Sequence, residues 1–260
     1  MPARSVIIEM SAKLAITREP GARYTSCISC HPKRETVDLR RAREQHAKYR
    51  AVLSELGLEV LLLERDDSHP DSCFVEDTAV VHEKKALICR LAPDSRRGEE
   101  DQVASILKES LHVKRATAPA TIEGGDVMHL HRRLVSGLTQ RTSSEGVRQA
   151  HDWLEIPITT ISDMAIVHLK SYVTFLGKNT AVCSKRFKDH PALKGLELLL
   201  IPEDEAYAAN TLTVEGTVLM SSGRPKAARI VREAGFDVRL LDTSEFEKCE
   251  GALTCLSLIL

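Results

Sequence analysis

The chain has 260 residues, 43% of them hydrophobic, which is enough to bury the core of one large domain or two small ones. Its 36 basic and 37 acidic residues nearly balance, so the charge gives no basic stripe of the kind that drives nucleic-acid binding, and we expect no nucleic-acid partner. No apolar run has the length of a membrane span and no secretory signal precedes the first elements, so we expect a cytoplasmic protein with no membrane partner.

The segment LRRAREQHAKYRAVLSELGLEVLLLE predicts a helix followed by a strand. Leu39, Ala42, His46 and Tyr49 recur at helical spacing and therefore share one face of the helix. Gly57 suits the left-handed cap that ends such a helix. The letters LEVLLL that follow are apolar enough to predict a strand with no solvent-facing side.

The same order of stop and apolar strand recurs along the chain, in ELGLEVLLLERDD, SLHVKRATAPA, WLEIPITTISD, LKGLELLLIPEDE and EAGFDVRLLDTSE. Between these segments lie the candidate β-hairpins TAVVHEKKALICR, DVMHLHRRLVSGL, VTFLGKNTAVC and TLTVEGTVLMS. Thr142 with Glu145 predicts a capping box at the start of one helix, and Pro225 suits the first turn of another. The sequence therefore predicts that each repeat consists of a hairpin, a helix and a strand.

Repeats of this kind cannot bury their apolar faces singly, and radial closure, as in propellers, is one way to bury them. An ordinary α/β sheet with imperfect periodicity is the alternative. No linker divides the chain, so we expect residues 1–260 to form a single domain of five repeats. A polar residue follows each terminal strand at a similar phase, and closure would bring these side chains to one axis: Glu76 or Asp77, Glu123, His168, Asn210 and Cys255.

A cysteine, a histidine and several carboxylates at one axis predict nucleophilic catalysis by a thiolate. A free thiol has a pKa of about 8.5 and needs a nearby cation or base, and His168 could carry the proton. The acids Asp71, Glu76 and Asp77 would raise the pKa of Cys255, which is harmful unless the substrate is itself a cation. Carboxylates would hold a guanidinium in bidentate fashion, and its charge would stabilise the thiolate.

Two turns, APDSRRGEE and LTQRTSSEG, follow a hairpin and precede a helix, and each contains an arginine of interest, Arg96 and Arg141. Surface arginines are common, so either residue alone is more often solvated. Together they could bind the carboxylate of a substrate whose cationic end lies against the acids. A pocket of this kind fits an arginine-like amino acid.

Six motifs resemble, in order, the motif series of the dimethylarginine dimethylaminohydrolases: HPDSCFVEDTAVV, SRRGE, TIEGGDVM, RTSSEG, HLKS and GALTCLS. The resemblance covers essentially the whole chain, from roughly residue 28 to 260. That family belongs to the guanidino-group-modifying (pentein) superfamily, so the resemblance implies an α/β fold, a five-bladed α/β propeller. It also implies hydrolysis of asymmetric dimethylarginine or monomethylarginine to citrulline and a methylated amine, through a covalent thiouronium intermediate on cysteine.

The resemblance gives each site residue an implied role. Cys255 would be the nucleophile, His168 the general acid and base, and Glu123 its partner carboxylate. Seven residues would bind the substrate, namely Asp71, Glu76 and Asp77 at the cationic end, Arg96 and Arg141 at the α-carboxylate, and the backbone of Cys249 and of Ile28 in a lid at the α-amine.

The implied reaction needs no cofactor and no catalytic metal. Zinc would act only as an inhibitor, because the thiolate of Cys255 and the imidazole of His168 are good ligands for it. The expected partner is a small methylarginine molecule, and the protein is expected to be a monomer or a homodimer.

The seven cysteines are scattered through the chain, which argues against a disulfide framework in a reducing compartment. Cys27, Cys30 and His31 form a C-x-x-C-H pattern in the expected lid. Attachment of c-type haem needs an exported protein, so a labile zinc site or a redox-formed disulfide within the loop is the better interpretation of this pair.

Three other functions remain open. An arginine deiminase would carry a second carboxylate two residues after the histidine, where this chain has Lys170, and would usually contain an inserted helical domain. A non-catalytic protein that binds a guanidino amino acid is an alternative of another class. A thiol or metal protein centred on the lid cysteines is the third.

Overall fold

The computed structural model describes residues 13–260, and this part of the chain forms fifteen strands and five α-helices. The strands are β1 (Leu14–Arg18), β2 (Glu59–Leu63), β3 (Ala79–His82), β4 (Lys85–Ile88), β5 (His112–Arg115), β6 (Val127–His129), β7 (Leu134–Leu138), β8 (Ile158–Ser162), β9 (Val173–Gly177), β10 (Thr180–Ser184), β11 (Glu197–Ile201), β12 (Leu212–Val214), β13 (Thr217–Ser221), β14 (Asp237–Leu241) and β15 (Ser257–Ile259). The helices are α1 (Leu39–Glu55), α2 (Asp101–Leu107), α3 (Ser144–Leu154), α4 (Pro225–Glu233) and α5 (Ser244–Glu247).

The strands form five sheets of three strands each. In four of the sheets the first two strands make an antiparallel hairpin, and the third strand lies parallel to the second. These are the predicted hairpins with their predicted terminal strands, in β3–β4–β5, β6–β7–β8, β9–β10–β11 and β12–β13–β14. The predicted fold class, an α/β propeller of five repeats, is confirmed.

The fifth sheet joins the two ends of the described chain. β15 pairs antiparallel with β1, and β1 pairs parallel with β2, so this sheet has the same strand pattern as the others. The Tyr49 hydroxyl on α1 and the Ser257 hydroxyl on β15 lie 2.7 Å apart and are buried. The ring is therefore closed by pairing between segments far apart in sequence.

A parallel pair needs a crossover connection, and an α-helix supplies it in four of the five sheets: α1, α2, α3 and α4. Between β10 and β11 the chain instead makes two short 3-10 turns, Lys185–Phe187 and Pro191–Leu193. The prediction of a helix in every repeat is wrong here, because Pro191 lacks the amide hydrogen that would continue a helix.

The helix α1 buries the predicted face, with Ala42, His46 and Tyr49 all buried, and Gly57 after it has a φ of 94°. The following strand β2 differs from expectation, because Leu62 is 43% exposed. β2 is the outer strand of its sheet and has a neighbour on one side only, so part of it faces solvent.

The capping residue of α3 is one position later than predicted. Ser143, not Thr142, is the N-cap, and its side chain accepts a hydrogen bond from the Gly146 amide. The Thr142 hydroxyl accepts instead from the amide of Glu123, at 3.2 Å. The predicted capping residue therefore holds the backbone of a site residue. At α4 the prediction is confirmed, since Pro225 occupies its first turn.

The core of residues 13–260 consists of five apolar clusters, and each combines side chains from neighbouring sheets with those of the α-helix or the 3-10 turns beside them. Neighbouring repeats therefore bury each other's apolar faces, as a closed ring requires. None of the helices in residues 13–260 is both long enough and apolar enough to cross a membrane.

We expect Tyr49→Phe to lower the free energy of unfolding by about 1–3 kcal/mol, because it leaves the buried Ser257 hydroxyl without its partner. Urea unfolding followed by circular dichroism measures this change. Tyr172→Phe is the matched control, since no hydrogen bond to the Tyr172 hydroxyl occurs within residues 13–260. Equal effects of the two substitutions would contradict the closing role of the Tyr49 contact.

Candidate active site

The five residues of the predicted ring occupy equivalent places in the fold. Each lies in, or directly next to, a short 3-10 turn that runs into the first strand of a sheet. All but Glu76, which is half-buried, are buried: Glu123, His168, Asn210 and Cys255. Four of the five neighbouring pairs of turns contact each other directly, and in the fifth Asn210 forms hydrogen bonds with Thr254. The common phase in the sequence therefore reflects a common position in space.

Two glycines allow these turns to approach closely. A Cβ atom on Gly124 would lie 2.0 Å from the carbonyl oxygen of Glu76, and one on Gly125 would lie 2.8 Å from both Asp77 and the ring of His168. The EGGD motif therefore lacks side chains at the two positions where the neighbouring turns meet.

Eight of the ten predicted site residues line one cavity of about 30 Å³. Glu123 lies directly behind His168, and Glu76 lies elsewhere. The residues that line the cavity with the predicted ones are Phe74, Val167, Glu250 and Gly251. The predicted ones are Cys255, His168, Asp71, Asp77, Arg96, Arg141, Ile28 and Cys249.

His168 is held as a charged imidazolium. Its Nε2 lies 2.8 Å from Oε2 of Glu123, and the amide of Ala92 donates to the other oxygen of Glu123 at 2.9 Å. Burial acts to lower the pKa of His168, but the nearby Asp77 and the hydrogen bond with Glu123 raise it to about 9. His168 therefore carries a proton that it can donate at neutral pH.

Cys255 is a buried thiol among acids. Burial, together with the charges of Glu76 and Asp77, raises the pKa of Cys255 to about 12. The free protein therefore keeps this thiol protonated at neutral pH. A cation in the shared cavity would favour the thiolate, since an opposite charge nearby lowers a thiol pKa.

The two aspartates at the cavity are fixed by backbone amides. Asp77 accepts from the amide of Gly125 at 3.0 Å and from Nη1 of Arg96 at 2.9 Å. Asp71 accepts from the amide of Ile28 at 3.2 and 3.3 Å, and burial raises the pKa of Asp71. Both carboxylates therefore line the cavity from fixed positions.

The two arginines differ in how fully they are paired. Arg96 is buried, and Asp77 and Glu99 take most of its donors, with Nη2 at 2.8 Å from Oε2 of Glu99. Nη1 of Arg141 is buried and makes no hydrogen bond within the described residues; it lies 3.7 Å from Oε1 of Glu123. Arg141 is therefore the guanidinium with a free donor for an anion.

Glu76 is separated from the cavity of Cys255. Its two oxygens accept from Nζ of Lys170 and from the Thr254 hydroxyl, the latter at 2.7 Å. Glu76 and Lys170 line a second cavity of about 170 Å³. Burial raises the pKa of Glu76, against the opposing effect of Lys170.

Cys249 forms a disulfide bond with Cys27, so the expectation of no disulfide, and of a pair within the loop, is wrong. Cys27 and Cys249 are 222 residues apart in sequence, which hides the pairing from any local pattern. Cys30 is an exposed free thiol.

Sequence reasoning missed several residues that position the predicted catalytic residues. Asp126 accepts from the amide of Leu169 at 2.9 Å and from the Thr139 hydroxyl at 2.8 Å, so it fixes the chain beside His168. Asp126 is the last residue of the EGGD motif, and this position could have identified it from the sequence. Glu99, the partner of Arg96, follows it by one helical turn in SRRGE.

Asn210 fixes the other side of the site. Its Oδ1 accepts from the amide of Thr254 at 3.1 Å, and its Nδ2 donates to the Thr254 hydroxyl at 3.0 Å and to the Lys170 carbonyl at 3.1 Å. The residue next to Thr254 is Cys255. The position of Asn210 in the ring was therefore the signal that could have found this role.

Asp77, Glu123 and His168 offer ligand atoms that lie within 4.8 Å of one another, a cluster that could hold a metal ion. Arg96 lies among the same carboxylates, with Nη1 at 2.9 Å from Asp77 and 3.6 Å from Glu123. Its guanidinium therefore supplies positive charge where a metal would be bound, and the donor set fits an ion-pair network.

A family model described as N,N dimethylarginine dimethylhydrolase, eukaryotic, matches residues 26–211, which is more than half of the chain. The chain belongs to the dimethylarginine dimethylaminohydrolase family. It is 34% identical to the N(G),N(G)-dimethylarginine dimethylaminohydrolase of Streptomyces coelicolor, over 95% of this chain and 97% of the relative. It is 33% identical to the Pseudomonas aeruginosa enzyme of the same name, over 85% of this chain and 89% of the relative.

The solved structures include a mutant of the Pseudomonas aeruginosa dimethylarginine dimethylaminohydrolase in complex with citrulline. The match has a TM-score of 0.92 at 30% identity and covers 96% of this chain and 99% of that one. The family assignment drawn from the six motifs, and the five-repeat fold that it implied, are confirmed.

We expect Gly125→Ala to lower kcat by about 100-fold, because the added methyl group displaces His168 or Asp77 from its position. Gly195→Ala is the control, since that glycine has open space around it and a φ of 91°, and the substitution strains the backbone without touching the site. Steady-state kinetics measures the loss of catalysis in each variant, and thermal unfolding measures the loss of stability caused by backbone strain. Full activity of Gly125→Ala would contradict the close approach.

Proposed function

We propose that this chain hydrolyses N-ω-methylated arginine, asymmetric dimethylarginine or monomethylarginine, to citrulline and dimethylamine or methylamine. The observation that carries the proposal is a single cavity in which a thiol, a protonated imidazole and two carboxylates meet. This set fits a cationic planar carbon as the point of attack. The residue roles below are part of the proposal.

The substrate would bind with its guanidinium against Asp71 and Asp77 and its α-carboxylate on Arg141, with Arg96 as a second anchor nearby. The free donor of Arg141 and the fixed aspartates support this orientation. Carboxylates hold a guanidinium through charge-assisted, paired hydrogen bonds. The charge of the guanidinium then favours the thiolate of Cys255.

In the first step the bound cation causes the thiol of Cys255 to release its proton to solvent. The thiolate attacks the guanidinium carbon, and the bond from that carbon to the methylated nitrogen breaks. His168 donates its proton to the leaving amine, which departs as dimethylamine or methylamine. The product of this step is a thiouronium, with the substrate carbon bound to sulfur. The hydrogen bond of His168 with Glu123 supports its role as the proton donor.

In the second step neutral His168 removes a proton from water, and the hydroxide attacks the thiouronium carbon. The carbon–sulfur bond breaks, citrulline leaves, and the thiol and the imidazolium are restored. Water, the thiol and the imidazole supply every atom and proton, so the chemistry needs no cofactor. A cytoplasmic location and a monomer or homodimer remain parts of the proposal. In a reducing cytoplasm the Cys27–Cys249 disulfide would have to resist reduction, and both of its residues are buried.

Hydrolysis of unmodified arginine is the second candidate. The position two residues after His168 carries Lys170, whose ammonium pairs with Glu76. A deiminase would place a second carboxylate there for the unsubstituted end of the guanidinium. The cation at this position favours the methylated substrate.

We expect Cys255→Ser to lower citrulline formation from asymmetric dimethylarginine by about 1,000-fold or more, because a serine hydroxyl is a far weaker nucleophile at neutral pH. Wild type should form citrulline from asymmetric dimethylarginine much faster than from arginine. Cys183→Ser, which changes a buried cysteine in β10, is the matched control and should remain active. Substantial turnover by Cys255→Ser would refute the assigned nucleophile, and a preference for arginine would support the deiminase.

We expect kcat/KM to fall as the pH rises through about 9, since His168 must hold a proton to release the amine. Glu123→Gln replaces the carboxylate by a neutral amide, so the pKa of His168 should fall and the alkaline limb should move to lower pH. Rates measured from pH 6 to 10 in both proteins test this. An alkaline limb in the same place in both proteins would contradict the proposed proton donor.

A further inference from the structure

The lid segment, residues 27–36, lies along the nucleophile segment, residues 248–255. The Ser29 hydroxyl donates to the carbonyl oxygen of Lys248 at 2.9 Å, and the amide of Cys30 donates to the Glu250 carboxylate at 2.9 Å. The Lys248 ammonium donates to the carbonyl oxygen of Thr36 at 2.8 Å. Three hydrogen bonds thus link the lid segment to the nucleophile segment.

These three hydrogen bonds are partly or fully exposed to solvent. Each exposed contact of this kind contributes little to holding the two segments together. The disulfide bond between Cys27 and Cys249 is different, since the two residues are only 1% and 3% exposed. It is the one covalent link between the lid segment and the nucleophile segment in residues 13–260.

The disulfide lies beside the two residues whose backbone the family resemblance implies for the α-amine, Ile28 and Cys249. Cys27 directly precedes Ile28, whose amide donates to Asp71, and Cys249 is itself one of the two residues. The carbonyl oxygens of Ile28 and Cys249 accept no hydrogen bond from any described residue. Both residues line the cavity of Cys255.

An ammonium group has three donors and no acceptor, so it needs oxygens that converge on one point. Two carbonyls on segments 222 residues apart would converge only if the segments kept a fixed distance. Fixing them before the substrate arrives lowers the entropy lost on binding. A covalent bond beside both carbonyls meets this requirement.

We propose that the Cys27–Cys249 disulfide is a positioning device that holds the two α-amine carbonyls in register, so that it sets the preference for substrates with a free α-amine. This inference rests on the proposed function, because it assumes that the cavity takes a methylated arginine. Cys27 and Cys249 are positioning residues here, and their sulfur atoms take no part in the chemistry.

The alternative is that the disulfide only stabilises the fold. In that case its loss would lower stability and would affect all substrates alike. An effect through the α-amine carbonyls would instead be confined to substrates that have the amine. The difference between two substrates therefore separates the two roles.

The experiment compares asymmetric dimethylarginine with 5-(N′,N′-dimethylguanidino)pentanoic acid, which has the same guanidinium and carboxylate and lacks the α-amine. The variants are Cys27→Ala, Cys249→Ala and the double variant, and Cys30→Ala in the same lid is the matched control. Thermal unfolding confirms that each variant is folded at the assay temperature. Thiol titration of unfolded wild type, prepared without reductant, should find five of the seven cysteines free.

For asymmetric dimethylarginine we expect KM to rise about tenfold in both single variants and in the double variant, with little change in kcat, because all three lack the same bond. For the analogue without the amine, KM should stay within about twofold of wild type, since no α-amine contact is lost. The KM of Cys30→Ala should equal that of wild type for both substrates. If turnover of a variant is too slow to measure, equilibrium binding of citrulline and of its analogue without the amine gives the same comparison.

Equal rises in KM for both substrates, or no rise for either, would overturn this proposal and leave the proposed function intact. Seven titratable thiols in unfolded wild type would overturn it as well. A wild-type protein that forms no citrulline from asymmetric dimethylarginine, and no ureido product from the analogue, would instead refute the proposed function, and this inference with it.

Discussion

The pairing of the His168 imidazolium with Glu123 is the interaction on which the rest of the site depends. Charges removed from water are stable only when they are paired and hydrogen-bonded, and Glu123, Asp77 and Arg96 meet that condition around His168. Burial, together with the charges of Glu76 and Asp77, raises the pKa of the nearby Cys255 thiol and keeps it protonated. The free site thus keeps His168 charged and Cys255 neutral, and under the proposed mechanism a bound cation would convert the thiol of Cys255 to the thiolate.

The closed ring follows from features that recur locally in every repeat, which is why the sequence predicts it well. A hairpin, a stop and an apolar strand each leave a short-range pattern, and the 3-10 turns before the first strands keep the site residues in phase. The pattern failed where a single residue overrides it, as Pro191 does after β10. The turns between β10 and β11 replace a helix, and a single residue moves the cap of α3 from Thr142 to Ser143.

At the site, the sequence predicted residues whose position depends on their own motif, and failed for residues whose position depends on other repeats. Residues within a motif could be placed by their neighbours, and Asp71, Asp77, Arg141, His168 and Cys255 do line one cavity. Glu76 could not be placed, because its position depends on Lys170 and Thr254 from other repeats. The disulfide of Cys27 with Cys249 was invisible for the same reason. Composition predicted isolated thiols, and only the folded ring brings this pair together.

The pairing of β1 with β15 has a consequence for how the protein matures. The turn that carries Cys255 runs directly into β15, and β15 is held by a strand at the opposite end of the described chain. Contacts between such distant segments form slowly, since a long loop must close first. A partly folded chain would therefore contain an ordinary, unpositioned cysteine, and reactivity toward substrate would be acquired only with the last stage of folding.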